Sequence, residues 1–107
     1  MAQDFTRYKA RLIGTSATTI FTANSNDTIV GISLANVVAT AITASVYIND
    51  GTNDFYLVKS APIPVGSSLQ VLDGGAKIVL QSGDILKVVS DTASSLDAWV
   101  STIDTIS

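Results

Sequence analysis

From Ala44 to Val58 the chain reads ASVYINDGTNDFYLV, and this stretch confines the fold more tightly than any other. Ala44, Val46 and Ile48 alternate with Ser45, Tyr47 and Asn49, the period of two expected when one face of a strand is buried. Phe55 to Val58 is apolar on both faces. Between the two arms, Asn49-Asp-Gly-Thr-Asn-Asp54 supplies an Asp-Gly pair suited to positive φ and side chains that cap their own backbone, so the segment predicts a β-hairpin. Ala61-Pro-Ile-Pro-Val65 follows. Each proline lacks a donor, so this piece runs extended along an edge or crosses between sheets.

The same grammar repeats along the chain. Tyr8 to Ile13 alternates charged and apolar residues, Gly14 to Ala17 breaks the pattern, and Thr18 to Thr22 resumes it. Asn24 to Asp27 is a turn signal. It launches Thr28 to Asn36, a candidate central strand in which Val30, Ile32 and Leu34 share the inner face. Gly31 in mid-strand marks a bulge or a close backbone approach. Val37 to Ala41 is too short for an independent helix and reads as a connection. Ser68 to Leu72, Lys77 to Leu80, Asp84 to Asp91 and Leu96 to Asp104 read as further strands, separated by turns at Asp73-Gly-Gly-Ala76, Gln81-Ser-Gly-Asp84 and Thr92 to Ser95. Leu86 and Val88 face inward, as do Leu96, Ala98 and Val100. Eight or nine short strands at a spacing of about ten residues predict an all-β fold, a single antiparallel β-sandwich of jelly-roll or Ig-like type. The 107 residues fit one domain, 1–107, with residues 1–16 as a basic N-terminal arm or edge strand.

Composition narrows the function. The chain has no cysteine and no histidine, which removes disulfides, thiolate chemistry, the commonest general base and the commonest transition-metal ligand. All nine acids are aspartate and the net charge is −3, a balance that repels phosphate backbones and argues against nucleic acid as a partner. Met-Ala-Gln-Asp-Phe-Thr-Arg has an early acid and no hydrophobic segment, so it reads as no secretory signal. No apolar run approaches the length of a membrane span. Apolar residues nevertheless make up 47% of the chain. For so small a chain that excess predicts surface that meets another chain, in a homo-oligomer or a lattice.

Several residues fall on faces opposite the expected core: Tyr47, Phe55 or Tyr56, Trp99, Ile103 and Ile29. They are either central-strand residues covered by loops or interface residues, and the apolar excess favours an interface. Tyr47, Phe55, Tyr56, Val58, Trp99 and Ile103 are therefore the interface candidates. Arg7, Lys9 and Arg11 join them, as a basic edge strand that either docks on an acidic neighbour or only blunts the edge against aggregation. Asp50, Asn53 and Asp54 could offer oxygens to calcium, but their spacing is not that of an EF-hand and turn chemistry explains them. Gly74-Gly75 with Lys77 lacks the spacing of a phosphate loop. The solvated aspartates give no buried carboxylate pair for glycoside hydrolysis. No catalytic residue, metal site or cofactor is expected.

The run NDGTNDFYLVKSAPIPVG, then Leu72-Asp-Gly-Gly with Lys77-Ile-Val-Leu80, then Ser82-Gly-Asp84-Ile-Leu-Lys-Val88, resembles a group of small β-sandwich proteins of tailed bacteriophages, most closely those of marine and cyanobacterial phages. The resemblance covers about residues 28–104. It implies a non-enzymatic virion component, either a capsid decoration or a neck or tail part, whose partners are other virion proteins such as the major capsid protein. The short N-terminus lacks the anchoring segment of fibre-type members. The resemblance also implies assembly within the host bacterial cytoplasm, to which the missing cysteines are suited. A carbohydrate-binding or adhesion module, with Trp99, Tyr47 and Tyr56 as a stacking platform, is the alternative.

Overall fold

The computed structural model describes residues 3–24, 26–72 and 77–105. It contains nine strands and, among the described residues, no helix: β1 (Gln3–Ile13), β2 (Thr18–Thr22), β3 (Asp27–Asn36), β4 (Ile42–Asn49), β5 (Asp54–Ile63), β6 (Ser68–Gln70), β7 (Ile78–Leu80), β8 (Ile85–Ser90) and β9 (Leu96–Thr105). The expected turn at Asp73 to Ala76 lies outside the described residues.

The strand pairing is that of one long hairpin rolled on itself. The 49–54 turn is its tip, β4 pairs with β5, β3 with β6 and β7, β2 with β8, and β1 with β9, all antiparallel. Two further ladders, β3 with β9 and β4 with β8, close the roll into two sheets. The first sheet runs β1-β9-β3, with β6 and β7 as two pieces along the remaining edge of β3, and the second runs β2-β8-β4-β5. This nesting is the jelly roll. An Ig-like sandwich would instead place its first two strands side by side.

The inner faces carry the expected alternation. Leu86, Val88, Leu96 and Val100 are fully buried, as are Ile32, Leu34 and Val46. Each such side chain contributes about 1.5–3 kcal/mol, and with no disulfide the core must carry stability alone. Stacked rings of Tyr8 and Phe21, 4.2 Å apart and nearly parallel, close the sandwich between β1 and β2.

Two expectations about faces are corrected. Ile29, expected on the outer face, is fully buried, whereas Val30, expected inside, is only half-buried. The cause is a bulge: the β3–β9 register shifts between Ile29 and Gly31, and one extra residue inverts the phase of everything before it. No atom would lie within 4 Å of a Cβ at Gly31, so of the two expected roles the glycine serves the bulge and not a close approach. Tyr47 keeps the outer face expected of it but is only 9% exposed, with the Tyr56 ring against it at 4.9 Å.

Pro62 sits within β5, opposite Thr43. It costs no ladder bond, because the Thr43 N–H and carbonyl both engage Asp91 on the other side. The far end of the sandwich is tied by two polar clusters. Buried Asn36 donates from Nδ2 to the carbonyls of Thr40 and Ile63 and accepts from the Val38 N–H. The Ser90 and Ser95 hydroxyls meet at 2.6 Å, and Ser95 donates onward to the Thr92 carbonyl. No buried side-chain polar atom among the described residues lacks a partner.

Candidate assembly surface

The outer face of the first sheet gathers most of the singled-out side chains. Register partners across the sheet share a face, so the rows can be read directly. The row nearest the chain termini is Phe5–Ile103–Thr28–Val79. Phe5 is 78% and Val79 66% exposed, with Ile103 half-buried between their strands. Next come Arg7–Ser101–Gly31 and then Lys9–Trp99–Ser33–Gln70. The last row is Asp97–Ala35–Ser68, with Arg11 on the bulged part of β1 beside it.

Small residues in the last two rows leave a depression. Lys9, Arg11, Ser33, Ala35, Asp97 and Trp99 border a shallow groove of about 420 Å³. Trp99 is 49% exposed, and the Arg7 guanidinium lies over its ring at 5.4 Å from the centroid. At this exposure such a contact is worth about 0.5–1 kcal/mol, enough to fix the direction of both side chains. Leu12 has a φ of +54°, and the register of β1 on β9 shifts between Ala10 and Ile13. The Asp97 Oδ1 accepts the Leu12 N–H at 2.9 Å, so the one carboxylate in the groove is committed to holding this bulge.

The second sheet presents a different surface. Tyr56 packs on Tyr47, and the Lys59 Nζ stands 5.0 Å from the Tyr56 ring. Burial, with Asp54 nearby, raises the Tyr47 phenol above its ordinary value and keeps it neutral. Trp99 is on the outer face of one sheet, and Tyr47 and Tyr56 are on that of the other. The three rings therefore form no common stacking platform, which removes the geometric basis of the expected carbohydrate site. Val58 stands opposite Val46, half-buried against the core. Phe55, 55% exposed, flanks the hairpin tip.

At that tip every residue from Asp50 to Tyr56 is exposed. The turn organises itself. Asp50 Oδ1 accepts the Thr52 and Asn53 N–H groups, Asn49 Oδ1 accepts the Gly51 N–H, and Asn49 Nδ2 donates to Asp54. The bonds from Asn53 and Thr52 hold the Asp50 carboxyl below its ordinary value. The strand ends at Asp4, Asp27, Asp54 and Asp104 and the turn residues Asp50 and Asp84 all fall at this end of the sandwich, so six of the nine acids collect there.

Arg7, Lys9, Arg11, Trp99 and Ile103 thus share one face, while Tyr47, Tyr56, Phe55 and Val58 lie elsewhere. Phe5 and Val79 were missed by the sequence reading. Their signal was phase alone: Phe5 keeps step with Arg7, Lys9 and Arg11, and Val79 is out of step with Leu80, which is buried.

No family model and no curated protein matches the chain. Among solved structures, a chain from Bacillus endospore appendages, described as forming a novel family of disulfide-linked pili, aligns with a TM-score of 0.55. The identity is 17%, over 99% of this chain and 88% of the pilus chain. A chain from infectious bursal disease virus, Gt strain, aligns with a TM-score of 0.48 at 15% identity, over 94% of this chain and 30% of the viral one. The pilus likeness shows a shared fold.

Proposed function

We propose that this protein is a non-enzymatic structural subunit that works by packing in many copies, as a capsid-decoration, neck or tail component of a tailed-phage particle. The observation that carries the structural reading is the outer face of the first sheet. Exposed Phe5 and Val79 in one row with half-buried Ile103, and half-exposed Trp99 two rows away on the same face, make a costly surface for a monomer to leave in water and suit a protein–protein contact.

The chemistry supports the absence of catalysis. The carboxylates of Asp50, Asp84, Asp91 and Asp97 each accept a backbone N–H, which is a structural use of the side chain and no preparation for proton transfer. The fold shared with a pilus chain supports a role in a repeating assembly. Disulfide linkage through these 107 residues cannot be part of it, since they include no cysteine. The tailed-phage reading rests on the resemblance in the 49–66 hairpin and the 77–88 strands.

Analytical ultracentrifugation across a concentration series tests the assembly, and mass spectrometry of gradient-purified particles tests the location. Phe5→Asp combined with Val79→Asp is expected to weaken packing through this row without loss of fold, read as a smaller assembly than wild type forms. A wild-type protein that stays monomeric at the highest concentrations and is missing from particles would overturn the proposal.

A further inference from the structure

We infer that copies join tip to groove: the acidic β4–β5 turn of one copy seats in the basic Trp99 groove of the next. The inference rests on the multi-copy reading above and names the contact that reading lacks. Two patches of the same chain are complementary in charge, shape and composition. The donor patch is a fully exposed turn with Asp50 and Asp54 at its base and the small residues Gly51 and Thr52 at its apex. The acceptor is a groove of about 420 Å³ whose lining sets two cations, Lys9 and Arg11, against one carboxylate, Asp97. Phe55 beside the tip gives Trp99 an apolar partner, and both are exposed in the single chain.

The patches also sit where one copy cannot satisfy itself. The tip lies at the end of the sandwich that holds Asp27, while Ala35 in the groove is eight residues further along β3, about 26 Å away at 3.3 Å per residue. Where tip meets groove one way only, the contact is heterologous and each copy keeps one tip and one groove free, which generates a ring or an open filament; a reciprocal pair, each tip in the other's groove, would close as a two-fold dimer.

Charge exchange tests this in wild-type-length protein. Lys9→Glu with Arg11→Glu makes the groove acidic, and Thr52→Lys with Asp54→Lys makes the tip basic while leaving the Asp50 cap in place. Each double variant alone now opposes like charges, and its self-association should weaken by more than about tenfold. An equimolar mixture should reassemble, since the acidic tip of one variant fits the basic groove of the other and the reverse pair also matches. Circular dichroism and melting of each variant establish that the fold is retained. Thr52→Cys with Ala35→Cys gives an independent readout in a chain without native cysteine: oxidation should yield a ladder of cross-linked copies, since the two positions are too far apart to join within one. If wild type assembles but the charge variants assemble equally well, or the mixture fails to recover, or no ladder forms, the tip-to-groove contact is wrong while the multi-copy reading stands. A wild type that never assembles overturns both.

Discussion

Asn36 is the residue whose loss should be felt furthest from its own position. Its side chain is buried where the β3–β4 connection passes the end of β5, and it holds both: Nδ2 donates to Thr40 O at 2.8 Å and Ile63 O at 3.1 Å, while Oδ1 accepts Val38 N–H at 2.9 Å. Asn36→Ala removes the partner of these three backbone groups and the longer bond to the Pro64 carbonyl at 3.3 Å. The Ile63 carbonyl is in the buried contact, and leaving it unpaired costs about 1–3 kcal/mol. Thr40 and Val38 are part-buried, so water recovers some of their loss and each costs about 0.5–1 kcal/mol. The expected total is about 2–5 kcal/mol, a large share of the roughly 5–15 kcal/mol that holds a domain folded. Urea denaturation followed by fluorescence of the single tryptophan should show a lower midpoint with an unchanged slope, since the surface exposed on unfolding is the same. Asn36→Asp sharpens the test. It keeps the acceptor for Val38 but turns a negative oxygen toward the two carbonyls, so it should be at least as damaging as alanine. A loss below about 1 kcal/mol for alanine, or a benign aspartate, would refute the hydrogen-bond argument.

Three further outcomes follow from the same geometry. Val58→Asp should unfold the protein, because it sets a charge against the core opposite Val46, whereas Tyr56→Asp should leave a folded protein with an exposed Tyr47; thermal melts of the pair distinguish them. Gly51→Ala should cost about 1–2 kcal/mol through its φ of +101° alone, with no clash, while Gly31→Ala, with open space and no positive φ, should stabilise by about 0.4–1 kcal/mol; paired denaturation curves read both. Asp50 and Asp91 are held below their ordinary value of 3.8, chiefly by the backbone N–H groups of Asn53 and Thr43 respectively. Their contribution is therefore full above that value and is lost as pH falls through the lower folded-state value, so Asp91→Ala should lower stability at neutral and alkaline pH by a constant amount and flatten the acid-denaturation profile in that window, the two proteins converging in acid.

What the sequence made legible was phase within a strand. Leu86 and Val88, and Leu96, Ala98 and Val100, fell inward because nothing interrupts the period of two between them. The reading failed at Ile29 and Val30, where a bulge adds a residue, and a glycine in mid-strand hints at a bulge without saying which side of it inverts. Assignment of faces to sheets was beyond reach for a different reason. Tyr47 and Trp99 each alternate out of the core, but only the long-range pairing of β1 with β9 and of β4 with β8 puts them on opposite sides of the molecule. The hairpin itself was visible from its turn residues, whereas its place as the tip of the whole rolled ribbon depends on pairings up to β1 with β9, which no local signal encodes.

The row Arg7, Lys9, Arg11 was open to two readings, edge protection or docking, and the register makes them one. β1 is an eleven-residue strand at the edge of the first sheet, and such an edge invites a second copy to pair with it. In an antiparallel pairing of β1 with its own copy, directly opposite residues share a face, so odd positions meet only odd positions. Phe5, Arg7, Lys9 and Arg11 are the odd, outward set from Phe5 to Arg11, and the registers of longest overlap, centred between Arg7 and Lys9, oppose Arg7 to Arg7, Arg7 to Lys9 or Lys9 to Lys9. The two-fold edge-to-edge dimer is thereby penalised, and the penalty vanishes for any partner that brings aspartates to the same row. Of the exposed aspartates among the described residues, Asp50 and Asp54 lie at the opposite pole, on the 49–54 tip, and Asp91 lies beside Thr43 at the other end. Under the proposed tip-to-groove contact, a charge pattern that penalises the symmetric pairing and rewards the asymmetric one would favour growth by head-to-tail addition.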